Sequence, residues 1–141
     1  MTAFFDTSAL IALANPAEPN HAWSRQEFEM RQQNGPVVIN DIVYAEISAG
    51  YDAQDDVDLV LAQFGFERAD SSDEALFNAG QRFKRYKDTD GGPKQNVLPD
   101  FFIGAAAQSL GIPLITANPR DFRKFFSGLE IVSPGGTEVV P

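Results

Sequence analysis

At 141 residues, 43% of them hydrophobic, the chain can bury a sizeable core and has room for one domain spanning 1–141. It contains no cysteine, which excludes disulfides and thiolate metal sites, and its formal charge of −9 excludes a protein that coats nucleic acid over its whole surface. The first residues carry no basic lead and their apolar run is broken by Asp6, so neither a secretion signal nor a membrane span is supported, and a soluble protein of a reducing cytoplasm is expected.

Residues 3–5 read as a short buried strand and 8–14 as a helix, closed at Asn15-Pro16 because proline cannot continue it. Between them stands Asp6-Thr7-Ser8, any one of which can cap the helix by accepting a bond from an orphan N–H. A second helix covers about 20–33, with the only histidine, His21, at its polar start, where it reads as an exposed residue rather than a ligand. "GPVVIN" supplies a turn, a strand at 37–39 and a cap at Asn40, after which "DIVYAEISAG" runs as a helix to Gly50.

"VDLVLAQF" has helical spacing, "GFERAD" holds a short strand, and Ser72 caps a long helix to about Asp88 with Leu76, Ala79, Phe83 and Tyr86 as its apolar stripe. "DTDGGPKQN" is a Gly/Pro loop. "VLPDFFIGAAAQSL" is a helix entered through Pro99, "IPLITA" a strand, "NPRDFRKFF" a further helical turn or two, and "LEIVS" the last short strand. Strands alternating with helices predict an α/β fold of three layers, α/β/α, with a central, mainly parallel sheet and right-handed crossovers. Ligands of such sheets gather at the carboxyl ends of strands, where Asp6-Thr7-Ser8 and Thr116-Ala117-Asn118 both fall.

Charge is segregated along the chain. Arg82, Lys84, Arg85, Lys87 and Lys94 form one basic group and Arg120, Arg123 and Lys124 another, whereas acids crowd residues 52–74. Among the acids, Glu46 lies four residues after Ile42 and three after Val43, so a helix places it beside an apolar face, where a carboxylate needs a partner, a metal or a path to water. Asp100 follows Pro99 at a helix start and suits the positive end of the helix dipole. Asn118-Pro119-Arg120-Asp121 resembles an N-cap, a proline at N1 and an acid at N3. Each acid alone has a structural explanation, but several in one cleft would repel without a cation, and oxygen ligands suit Mg²⁺ or Mn²⁺ rather than zinc.

In order and spacing, "FFDTSALIAL", "NDIVYAEISAGY", "LPDFFIGAAAQSLGIPLITANPRDF" and the terminal "LEIVSP" resemble the PIN-domain ribonucleases, and among these the VapC-type toxins of bacterial toxin–antitoxin pairs. The resemblance covers essentially the whole chain. It implies an acidic site for Mg²⁺ (or Mn²⁺) built from Asp6, Glu46 and Asp100, and metal-assisted hydrolysis of RNA. The fourth acidic position of the family falls on Asn118, a departure, and either Asn118 through its carbonyl oxygen or Asp121 one turn onward would take that place. Thr7, Thr116, Lys94 and Arg120 are the candidate substrate contacts. A homodimer and a cognate antitoxin lying in the active-site groove are also implied.

Two other readings fit the sheet class. A receiver-like signalling domain needs an acidic pair after the first strand and a lysine after a late one; Asp6 has no acidic neighbour, and "PLIT" leads to Ala117-Asn118. A haloacid-dehalogenase-type phosphatase needs an aspartate where Ser8 stands. A catalytically degenerate PIN-like binding domain keeps the fold without the chemistry, and Asn118 is the residue that suggests it.

Overall fold

The strands at the centre of the sheet are short and wholly apolar, the pattern of a sheet covered on both faces. In a computed structural model that describes residues 1–89 and 98–141, the side chain of Thr89 excepted, β1 (Ala3–Phe5) and β2 (Val37–Ile39) are buried throughout. With β3 (Glu67–Arg68), β4 (Leu114–Ile115), β5 (Glu130–Ser133) and β6 (Gly136–Val139) they form a six-stranded sheet in the order β3-β2-β1-β4-β5-β6. The first five strands are mutually parallel and β6 pairs antiparallel with β5. The architecture is the expected three-layer α/β/α arrangement.

The strand order reverses between β1 and β4, since the chain builds outward from β1 to β3 and then returns to the other side of β1. A crevice opens at the carboxyl ends of two strands whose following segments leave in opposite directions. The helices are α1 (Thr7–Ala14), α2 (His21–Gln32), α3 (Asp41–Ser48), α4 (Gln54–Phe64), α5 (Asp73–Thr89), α6 (Leu98–Leu110) and α7 (Arg120–Phe125). Their starts follow local chemistry: Asn40 caps α3 by accepting from the Val43 N–H at 3.1 Å, and the Ser72 hydroxyl accepts from the Ala75 N–H at 3.1 Å. α4 ends at Gly65, whose φ of 77° is the left-handed conformation glycine adopts most easily.

Phenylalanines make most of the core beneath the second half of the sheet. Phe101 of α6 lies 5.3 Å from Phe125, 5.9 Å from Phe126 and 5.9 Å from Tyr86, ring centre to ring centre, which ties α5, α6 and the end of α7 into one unit. Gly104 permits that approach: a Cβ there would stand 2.6 Å from the Phe126 ring. Among the described residues no helix is long and apolar enough to cross a membrane.

Four expectations change. A sixth strand follows "LEIVS", because Pro134-Gly135 turns the chain back and lets Ser133 pair with Gly136. The buried stripe of α5 is Ala75, Ala79 and Tyr86 with Phe83 half-buried, while Leu76 is exposed; the helix is rotated so that Ala75 rather than Leu76 is covered. Asn118 does not cap α7: Pro119 occupies the cap position in helical conformation, and no side chain caps that end. His21 is half-buried at the start of α2, its Nδ1 2.8 Å from the Ala12 carbonyl oxygen, so it pins α2 to α1. Most of the Gly/Pro loop, Lys94 included, lies outside the described residues.

Candidate active site

β1 delivers Asp6 to the crevice and β4 delivers Thr116. The Asp6 N–H donates to the Ile115 carbonyl at 3.1 Å and the Thr116 N–H to Val132 at 3.0 Å, so the sheet holds both beyond the assigned strands. Asp6 is only 4% exposed and caps α1, its Oδ1 accepting from the Ala9 N–H at 2.9 Å. The capping role and the site role therefore coincide in one carboxylate.

Two hydroxyls hold it. Ser8 Oγ donates to Asp6 Oδ1 at 2.7 Å and accepts from the Ala117 N–H at 3.0 Å, which stitches the start of α1 to the segment after β4. Thr116, wholly buried, also bonds to the Asp6 carboxylate, while its Oγ1 accepts from the Asn118 N–H at 3.0 Å. Ser8 and Thr116 lie 3.4 Å apart, oxygen to oxygen. Sequence reasoning gave Ser8 only a capping role; its spacing of two from Asp6 was the available signal.

Glu46 enters from α3, which packs on α1. Half-buried, it accepts a 2.6 Å bond from Thr7 Oγ1, so Thr7 serves the second carboxylate as Ser8 serves the first. Asp100 stands in the first turn of α6, half-buried, and Asp121 in the first turn of α7, exposed.

The electrostatics show which of these groups meet. Burial pushes Asp6 up from 3.8 to about 6, against the lowering effect of its bonds to Thr116, Ser8 and the Ala9 amide, with Glu46 adding repulsion. Asp100 is raised to about 7, first by burial and then by the charges of Asp6, Asp121 and Glu46. Among the described residues every influence on Asp100 opposes ionisation, and none is a cation.

Asp6, Glu46 and Asp121 thus all lie within electrostatic reach of Asp100. Asn118 and Arg120 are exposed beside them, the first held only through its backbone, the second opening α7. Among the described residues, no three His, Cys, Asp or Glu side chains form a group able to hold a metal ion as they stand. The donor chemistry is carboxylate and amide oxygen, which fits a hard divalent cation and does not fit zinc.

The PIN domain family profile matches residues 3–125, and the chain belongs to that family. Its fold is shared with the VapBC2 complex of Rickettsia felis bound to promoter DNA (TM-score 0.70, 20% identity, 93% of this chain and 97% of that one). It is similar to DNA-bound VapBC of Salmonella typhimurium (0.69, 24%, 93% and 96%). A third similar structure is VapC20 of Mycobacterium tuberculosis, described as a sarcin–ricin loop cleaving toxin (0.63, 14%, 89% and 96%). No curated protein matches the sequence.

Proposed function

We propose that this chain, a single PIN-like domain, is a metal-dependent endoribonuclease of the VapC type, hydrolysing RNA phosphodiester bonds as the toxin of a toxin–antitoxin pair in the cytoplasm. The observation that carries the reading is that Asp6, Glu46 and Asp121 all bear on Asp100 at the point where the sheet order reverses, with no cation among the influences that the described residues exert on it. Family membership supports nuclease chemistry, and the likeness to VapBC complexes supports an antitoxin partner.

Asp6, Glu46 and Asp100 would hold Mg²⁺ or Mn²⁺, with Asp121 or the Asn118 carbonyl oxygen completing the set. When bound, such an ion supplies a water of lowered pKa and polarises the phosphate. Asp6 cannot swing away, because Ser8, Thr116 and the Ala9 amide fix its oxygens. Glu46, steadied by Thr7, orients the attacking water or takes its proton. Thr116 is turned to Asp6 and acts as a positioning residue rather than a substrate contact. Arg120, exposed at the start of α7, is placed to meet a phosphate, and Lys94 is retained as a candidate from the sequence. A homodimer, and a cognate antitoxin lying in the active-site groove, complete the proposal.

The purified protein, free of antitoxin, is incubated with total RNA and Mn²⁺ or Mg²⁺, beside an EDTA control and the Asp6→Asn and Asp100→Asn variants. Metal-dependent cuts lost in both folded variants support the nuclease. Cutting retained in both overturns the assigned site. A binding-only reading is favoured by one feature, that among the described residues no three carboxylates are grouped to hold a metal; it predicts no cutting by any of the proteins.

A further inference from the structure

Beyond the acidic site, the fold gathers a second group of charges of the opposite sign. Residues 82–87 contain Arg82, Lys84, Arg85 and Lys87, four of the chain's eleven Lys+Arg, without an acid among them. On α5 the spacing of 81, 84, 85 and 88 puts these positions on one face. That face and the end of α7 enclose an open cleft of about 450 Å³, lined by Arg82, Lys84, Arg85, Phe125 and Ser127, with Asp88 as its one acid among the described residues.

Arg82 is locked in place by neutral partners. Its Nε donates to the Phe125 carbonyl at 2.8 Å, its Nη2 donates to Gln108 Oε1 at 2.7 Å, and its guanidinium lies 5.0 Å from the centre of the Phe126 ring. Neither Arg82 nor Lys84 forms an ion pair with a carboxylate among the described residues. Burial and the neighbouring charge of Arg85 both disfavour the protonated guanidinium, so the cations crowd one another.

We propose that this cleft between α5 and the end of α7 binds two neighbouring backbone phosphates of the RNA strand, away from the bond that is cut. The inference rests on the nuclease reading and adds a subsite to it. Position favours it first: α7 carries Asp121 at its start and Phe125 at its end, and a helix of six residues is about 9 Å long. A strand laid along α7 from the acidic site therefore reaches the cleft within about three stacked phosphates. Charge favours it as well: Arg82 and Lys84 form no ion pair with a carboxylate among the described residues, and an RNA strand presents a series of phosphates to such cations. Arginine's planar fork matches a phosphate's paired oxygens.

The test is binding of a labelled short single-stranded RNA in EDTA, followed by fluorescence anisotropy over a range of salt. Lys84 and Arg85 are exposed, and the Lys84→Gln/Arg85→Gln double variant leaves the Arg82 bonds intact. It is expected to weaken RNA binding by about 5- to 30-fold and to flatten the slope of log affinity against log salt by about 1.4, at ~0.7 for each phosphate no longer neutralised. Arg25→Gln/Arg68→Gln, on α2 and on the far sheet edge at β3, removes equal charge and should leave the slope unchanged. An unaltered slope in the first variant, or equal weakening in both, overturns the proposal. So does loss of poly-glutamate binding with RNA binding retained, which would make an acidic protein segment the occupant. If the wild type cuts RNA while the slope is unaltered, the cleft assignment falls alone. A slope change without any cutting retains the RNA subsite and removes the nuclease, and neither cutting nor RNA binding removes both.

Discussion

Replacing Asp100 by asparagine should stabilise the metal-free protein while removing its activity. The carboxyl ionises near 3.8 in an unfolded chain and at about 7 in the fold. Between those values the folded state holds more protons than the unfolded one, so stability falls as pH rises, and the loss is complete above 7. Integrated from pH 5 to pH 8, that loss is about 2–3 kcal/mol. Asparagine has the shape of the protonated acid and cannot ionise, so it escapes the penalty; Asp6 titrates in both proteins and largely cancels. At ~3 °C per kcal/mol for a chain of this size, the melting temperature of Asp100→Asn should gain about 6–9 °C on the wild type between pH 5 and pH 8. Circular dichroism melts in EDTA measure this directly. Mn²⁺ at a hundred times its dissociation constant should restore about 2.7 kcal/mol to the wild type and little to the variant. A difference in melting temperature that is flat with pH, or a variant less stable at pH 8, would refute the reasoning.

Ser8→Ala removes the hydroxyl that holds Asp6 and accepts from the Ala117 N–H; Mn²⁺ affinity measured by calorimetry should fall about 10- to 100-fold, with a stability loss of about 1 kcal/mol. Gly104→Ala forces a Cβ into the Phe126 ring at 2.6 Å and should destabilise by about 1–3 kcal/mol in urea titration, without altering the metal affinity of the folded fraction. Asp121→Asn withdraws one of the charges that raise Asp100, so the Asp100 carboxyl should titrate lower in a ¹³C NMR pH series; no movement would place Asp121 outside the site.

Much of this protein is written in local sequence because its signals are local. Uniformly apolar triplets bounded by turn residues locate β1 and β2, and Asn40 and Ser72 mark helix starts with side chains that bond three residues ahead. Asp6, Glu46 and Asp100 each have a structural explanation in the sequence, and only the resemblance to PIN-domain ribonucleases grouped them as one site. Packing decided the rest. The face that α5 buries depends on where α6 lies, so Leu76 faces solvent despite a plausible periodicity. Asp6 is repelled by Glu46 and bonded to Thr116 only because β1 lies beside β4 and α1 packs on α3. That Asp100 opposes its own ionisation is likewise a property of the assembled crevice: burial and like charges come from four separated segments, and no window of sequence contains more than one of them.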